Sequence, residues 1–186
     1  MLMIKTQLPS QYSPAQKWFH WSMALLILSM LVIGITMKNL NDGALKDWFY
    51  EFHKSIGITL LALALVRTAV RSRRGAPPLE PGVPAWQRAA ARASHYALYA
   101  LIMLTPIAGW TATSSCCPPV NLFWTVPLTL PVPRDEAFSE TVFRIHFSLA
   151  FALAAVIVLH VAGALQHHFI RKDRTLLRML PGDPGP

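Results

Sequence analysis

The chain has 186 residues, of which 53% are apolar and only 14% are charged, and its formal net charge is +8. Soluble domains usually have about a quarter of their residues charged, so this composition excludes an ordinary soluble protein and is typical of a membrane protein. With no internal repeat or low-complexity tract, residues 1–180 are expected to form a single domain, followed by a disordered tail over residues 181–186.

Four apolar stretches are long enough to cross a bilayer as helices. The first contains an uncharged run from 18 to 37, about the 20 residues that a helix needs to cross the hydrocarbon core. The second is uncharged only from 55 to 66, so Lys54 and Arg67 must lie near its ends or face the bundle interior. The sequence therefore predicts an all-α integral membrane four-helix bundle. The predicted spans are about 16–38, 48–71, 86–112 and 138–170.

The basic residues indicate the orientation of these spans. They cluster before the first span, between the second and third, and after the fourth, whereas the other two links are neutral or acidic. By the positive-inside rule both termini are cytoplasmic, as expected in a bacterial inner membrane. The net charge then reflects topology, and nucleic-acid binding is not expected. The three clusters contain Lys5 and Lys17; Arg71, Arg73, Arg74, Arg88 and Arg92; and Arg171, Lys172, Arg174 and Arg178.

Histidines inside the spans are the most informative feature of the sequence. His146 and His160 lie fourteen residues apart, which places them on one helical face at two levels roughly 21 Å apart. Ionisable residues within a span indicate function, and two on one face are typical of axial ligands for two stacked haems. The predicted topology puts His53 at the periplasmic level with His146. At the cytoplasmic level, both His20 and His95 remain open as partners of His160.

Fourteen residues beyond each of the other three histidines, the chain has a residue suited to contact a haem. Glycine leaves room for a macrocycle against the backbone, although glycine is also common in membrane helices for packing alone. Arginine suits the haem propionates because the guanidinium can donate two parallel N–H hydrogen bonds to a carboxylate. A further glycine, one turn after His53, is expected to relieve crowding beside the periplasmic haem. These candidate haem contacts are Gly34, Gly57, Gly109 and Arg67.

Motifs in all four spans resemble the bacterial cytochrome b561 family over nearly the whole chain, and the closing run is the most specific. The resemblance implies a fold similar to the cytochrome b subunits of hydrogenases and formate dehydrogenases, with two haem b groups per chain. It also implies the ligand pairs His20–His160 and His53–His146. The matching stretches are 19–21 (FHW), 53–57 (HKSIG), 94–99 (SHYALY), His146 with His160, and 167–179 (HHFIRKDRTLLRM).

The resemblance also implies an oxidoreductase that passes electrons from a periplasmic donor to the membrane quinone pool, with ubiquinone as the expected acceptor. Family members are linked to superoxide oxidation. Lys54 and Arg144, next to the periplasmic ligands, would attract such an anion, although nearby carboxylates weaken that field. The alternative is a haem-bearing membrane partner of a separate periplasmic redox protein, without substrate chemistry of its own.

Quinone reduction needs a proton donor near the cytoplasmic haem. His95 is unused by the implied ligand pairs and titrates in a useful range, with Arg92 and Tyr99 one turn to either side. His167, two turns beyond His160, is a candidate proton relay. The alternatives are that His95 only bonds a propionate and that His167 caps a helix end.

Cys116 and Cys117 are adjacent in the predicted periplasmic link and lack the Cys-x-x-Cys-His pattern of covalent haem attachment. Bridging neighbouring cysteines is strained, so free thiols are favoured over a disulfide.

Overall fold

Four long helices dominate the residues that the computed structural model describes, which are 11–78, 80 and 82–182. The four-helix prediction is confirmed: the first three predicted spans lie within the first three helices, and the fourth lies within the fourth helix and the π-helical turn that follows it. Lys5 and residues 183–186 of the predicted tail lie outside the described residues. The elements are α1 (Pro14–Asn39), α2 (Ala44–Arg74), α3 (Ala85–Cys116), β1 (Val120–Leu122), β2 (Val126–Leu128) and α4 (Glu136–Gln166), followed by a π-helical turn (His167–Arg171) and a 3₁₀ turn (Leu177–Met179).

Local sequence signals fix where the helices begin and end. Ser13 and Gln16 form a reciprocal capping box around Pro14, the first residue of α1. Asp135 accepts a hydrogen bond of 2.9 Å from the Phe138 backbone N–H and so caps α4. Gly75 ends α2 with a φ of 71°, a conformation that glycine adopts without strain.

The outer surface of the bundle is apolar along its length. All four helices are long and apolar enough to cross a membrane, the fourth including the π-helical turn to Arg171. The buried core is a small cluster around Met23, Leu60 and Leu153. Large side chains such as Leu25 and Phe151, by contrast, are 68% and 73% exposed. Contiguous apolar surface of this extent needs a nonpolar environment, and lipid supplies it.

Both described ends of the chain lie at the same end of the bundle. The Gln16 side chain donates to the Gly75 carbonyl at 2.9 Å, which joins the start of α1 to the end of α2. Lys17 donates to the Leu180 carbonyl at 2.8 Å, and the Trp21 indole donates to the Met179 carbonyl at 2.9 Å. The C-terminal segment therefore folds back over this end, which we call the termini side.

A β-hairpin covers part of the opposite end, which we call the hairpin side. Strands β1 and β2 pair antiparallel, with Val120 opposite Leu128. Their turn places Phe123 and Trp124 at positive φ, where side chains are strained. The fully buried Ser55 hydroxyl accepts from the Phe123 N–H at 2.8 Å. This bond fastens the hairpin to α2 two residues beyond His53, and the sequence did not predict it.

The cysteines are joined as a Cys116–Cys117 disulfide at the hairpin-side end of α3. The expectation of free thiols is therefore wrong. Neighbouring contacts hold this link in place, because Arg134 donates to the Cys117 carbonyl at 2.8 Å and Ser115 donates to the Pro133 carbonyl at 2.7 Å.

We predict that Ser55→Ala loosens the hairpin. The substitution leaves the Phe123 N–H without its acceptor; because this bond is only partly buried, its loss costs about 0.5–1.5 kcal/mol. Thermal unfolding in detergent should show the loss, and protease cleavage within the hairpin should accelerate. Ser148→Ala is the control, because the exposed Ser148 hydroxyl bonds only within its own helix, to the Arg144 carbonyl. Equal effects of the two substitutions would contradict the role of Ser55.

Candidate functional site

Two histidines from different helices face each other near the hairpin side. His53 of α2 and His146 of α4 have ring centroids 6.2 Å apart. Both rings lie partly buried inside the bundle. We call them the hairpin-side pair.

The His146 ring is seated against α3. Its Nδ1 lies 2.8 Å from the Thr105 carbonyl oxygen. A carbonyl only accepts, so Nδ1 carries the proton and Nε2 is left unprotonated and able to bind a metal. A Cβ added at Gly109 would lie 2.9 Å from Nδ1, so glycine is required for the ring to come this close.

The His53 ring has a looser setting. A Cβ added at Gly34 would lie 3.4 Å from its Cε1 atom, and its buried Nδ1 has no hydrogen-bond partner among the described residues. A buried polar atom without a partner calls for an explanation such as a missing ligand. Gly34 lies against the His53 ring and Gly109 against the His146 ring. The contact of these glycines with a macrocycle, expected from their spacing, stays a prediction. Gly57 packs against Met30.

Three histidines meet near the termini side, and we call them the termini-side cluster. The ring centroids of His20 and His160 are 6.3 Å apart, and those of His95 and His160 are 5.4 Å apart. Metal–nitrogen bonds of about 2.0–2.1 Å put two imidazoles on opposite sides of one metal with centroids about 6.3 Å apart. The His20–His160 and His53–His146 separations fit this arrangement, and the His95–His160 separation is shorter.

Arg67 reaches the termini-side cluster, as its spacing from His53 predicted. Its guanidinium lies 3.3 Å from His20 Nδ1 and 3.4 Å from the Gln16 carbonyl oxygen. Arg71, one turn later, stacks over the Tyr12 ring at 5.7 Å. Both arginines line a recess at this end of the bundle, together with Tyr12, Gln16, Phe19, Val70 and Met179.

The cations expected to attract an anion at the hairpin side are paired with carboxylates. Lys54 forms an ion pair with Glu51, and Arg144 forms one with Glu140 at 2.7 Å. Each pairing weakens the field that the cation would project. Lys38 instead lies over the Phe147 ring at 5.3 Å, and it has no carboxylate partner among the described residues.

The candidate quinone residues are not brought into one hydrogen-bonded group. Within the described ranges, neither Arg92 nor Tyr99 hydrogen-bonds to His95. His167 Nδ1 lies 2.6 Å from Asp173 Oδ2, and the same carboxyl accepts from the Thr175 N–H at 2.9 Å. The sequence motif 167–179 contains both His167 and Asp173, but their spacing gave no reason to predict a hydrogen bond between them.

Comparison with known proteins agrees with the resemblance seen in the motifs. Residues 11–182 match the family model of prokaryotic cytochrome b561. Cytochrome b561 homolog 2 of Escherichia coli K12 is 35% identical, with 94% of each chain covered. Probable superoxide oxidase CybB of Yersinia pestis is 30% identical over 94% of this chain and 98% of its own. Cytochrome b561 homolog 1 of Escherichia coli K12 is 27% identical over 92% of this chain and 98% of its own.

We predict that the stability of the C-terminal turn depends on pH through the Asp173 carboxyl. Burial alone would raise its pKa, but hydrogen bonds from Thr175 and His167 outweigh burial and hold the pKa below the ordinary 3.8. A depressed pKa means that the stabilisation is complete above about pH 4 and is lost as pH falls through the folded-state pKa. Hydrogen-exchange protection of the Thr175 amide should follow this course.

Asp173→Asn should lower that protection at neutral pH and remove its acid dependence. Asp42→Asn is the control, because Asp42 is an exposed carboxyl that pairs with Lys46 in the link between α1 and α2. Unchanged protection of Thr175 in the Asp173 variant would show that the pair does not hold the turn.

Proposed function

The chain belongs to the prokaryotic cytochrome b561 family, whose members bind haem b and transfer electrons in membranes, and we propose that it carries electrons from a periplasmic donor to the quinone pool. The hairpin side is the periplasmic side in this proposal, and both termini are cytoplasmic in the inner membrane. The placement of the basic residues at the termini side supports that orientation.

Two haem sites are proposed, each held by two histidines. His53 and His146 hold the hairpin-side haem, and His20 and His160 hold the termini-side haem. The observation that carries this assignment is the ring separation of 6.2 Å and 6.3 Å in these two pairs. When bound, each haem b supplies reversible one-electron chemistry. Two histidine ligands per iron leave no coordination position for oxygen, which favours outer-sphere electron transfer.

Arg67 is proposed to change partner when the termini-side haem is bound. An arginine only donates, so its present contact requires an unprotonated Nδ1 on His20. A neutral imidazole that binds metal through Nε2 must carry its proton on Nδ1. Arg67 therefore cannot keep this bond in the loaded protein. With Arg71, it is free to pair with carboxylates such as propionates from the recess that both residues line.

His95 is proposed to serve the quinone rather than the iron. It is the third histidine of the termini-side cluster, and its separation of 5.4 Å from His160 is too short for opposed ligands on one metal. Arg92 and Tyr99 flank it by one turn on the same helix. In this role His95 delivers a proton as ubiquinone is reduced. His167, fixed by Asp173 nearer the helix end, relays protons from the cytoplasm.

Superoxide is the proposed donor. The support is the name of the Yersinia pestis relative and a cation near the hairpin-side pair that has no carboxylate partner within the described ranges. Lys38 lies over Phe147, whose ring packs edge-on against His146 at 5.9 Å. Lys54 and Arg144 contribute less attraction for an anion, because each is paired with a carboxylate. A cation close to the site raises the local concentration of an anion.

Alanine substitutions should separate the two haem sites. His53→Ala or His146→Ala should remove one haem per chain, and His20→Ala or His160→Ala should remove the other, with a different midpoint potential missing in each case. His95→Ala should retain both haems and slow quinone reduction. Haem quantification with redox titration measures these outcomes. Retention of both haems in a ligand variant, or loss of a haem in His95→Ala, would refute the assignment.

Superoxide-driven ubiquinone reduction by the purified protein should slow as ionic strength rises, because salt screens attraction between charges. Lys38→Gln should lower the rate roughly twofold or more, while keeping both haems. Lys46→Gln removes the same charge from a lysine that is paired with Asp42 at 2.8 Å, so its effect should be smaller. A complete absence of reaction, with both haems bound and reducible, would rule out superoxide and favour a separate periplasmic redox protein as donor.

A further inference from the structure

The seat of the His146 ring is formed by two residues of α3 that lie one turn apart on the same face. Thr105 is buried and offers its carbonyl oxygen at 2.8 Å from Nδ1. Gly109 offers a bare Cα, where an added Cβ would lie 2.9 Å from Nδ1 and 3.0 Å from Cε1. The ring is thus hydrogen-bonded by one residue and in contact with the backbone of the other.

The local sequence of α3 explains why this seat can form. A backbone carbonyl has two lone pairs, so Thr105 can accept from His146 and still serve its own helix. Helices α3 and α4 share the most extensive helix–helix contact of the described bundle, which brings His146 against this segment.

The partner ring has no equivalent seat. His53 Nδ1 is buried and finds no hydrogen-bond partner in the part of the chain that the structure describes. A Cβ added at Gly34 would lie 3.4 Å from His53 Cε1, a longer distance than at Gly109. The hairpin-side pair is therefore asymmetric. One imidazole is fixed by a direct hydrogen bond to the protein, and the other is not.

We infer that the Thr105 carbonyl and Gly109 position His146 as an iron ligand, by fixing its proton on Nδ1 and holding Nε2 toward the metal. This inference rests on the proposed role of His146. Thr105 and Gly109 are positioning residues, since neither would touch the iron. A hydrogen bond from the distal ring nitrogen makes an imidazole a more basic ligand. A more basic ligand favours ferric iron and binds it more tightly, so the seat lowers the potential of the hairpin-side haem and slows its loss.

The test is Gly109→Ala, with Gly163→Ala as the matched control. The Cβ at 109 must displace the His146 ring, whereas a Cβ at 163 of α4 meets nothing within 4 Å. In Gly109→Ala, transfer of the hairpin-side haem to apomyoglobin should accelerate by about 10- to 100-fold, the usual cost of losing such a partner. The midpoint potential of the hairpin-side haem should rise, and the low-spin EPR signal of that haem should shift. The termini-side haem, and both haems of Gly163→Ala, should not change.

A measurement on the wild-type protein keeps the inference testable if Gly109→Ala does not fold. Redox-difference infrared spectra with labelled histidine should show the ring band of an imidazole whose Nδ1–H is hydrogen-bonded, and His146→Ala should remove that band. A folded Gly109→Ala with unchanged haem transfer, potential and EPR signal would overturn the inference, as would absence of the band in wild type. Fewer than two haems in wild type would instead refute the proposed function on which it rests.

Discussion

The structure depends on keeping five imidazoles out of contact with lipid. An imidazole left in hydrocarbon without a partner costs about 2–7 kcal/mol, as for other polar groups. Each of the four helices carries at least one of the five and turns it toward the interior, while large apolar side chains face outward. The rings thereby lie at two levels of one bundle. The need to turn them inward determines which face of each helix points toward the bundle interior. The five are His20, His53, His95, His146 and His160.

The histidines at the two levels have different hydrogen-bond partners and different neighbours, and this difference bears on electron transfer. At the hairpin side a carbonyl accepts from one ring, whereas Nδ1 of the other ring has no hydrogen-bond partner among the described residues. At the termini side a guanidinium and a third histidine crowd the pair. In the proposed assignment of two haems, these different surroundings should give the two haems different midpoint potentials. The hairpin covers part of one end of the bundle, and the C-terminal segment folds back over the other.

Hydrophobic length and charge placement were enough to predict the four helices, because a bilayer imposes both. Fourteen-residue spacing predicted that Arg67 reaches the level of His20, since helical periodicity is regular. Spacing could not choose between His20 and His95 as the partner of His160, because the two lie at the same level on different helices; only the family resemblance implied His20. The β-hairpin was missed because a short pair of strands held by Ser55 has no periodic signal. The His146 seat depends on a backbone carbonyl, which no side-chain pattern records.

The most direct test of the two proposed haem sites is the haem content of the wild-type protein. The protein would be purified in detergent after expression with adequate haem supply, and haem would be quantified per chain with a reduced-minus-oxidised spectrum and EPR. The proposed function predicts two low-spin b-type haems, each with two histidine ligands and distinct midpoint potentials. One haem per chain would contradict the assignment at one level, and none would leave the histidines as packing residues only.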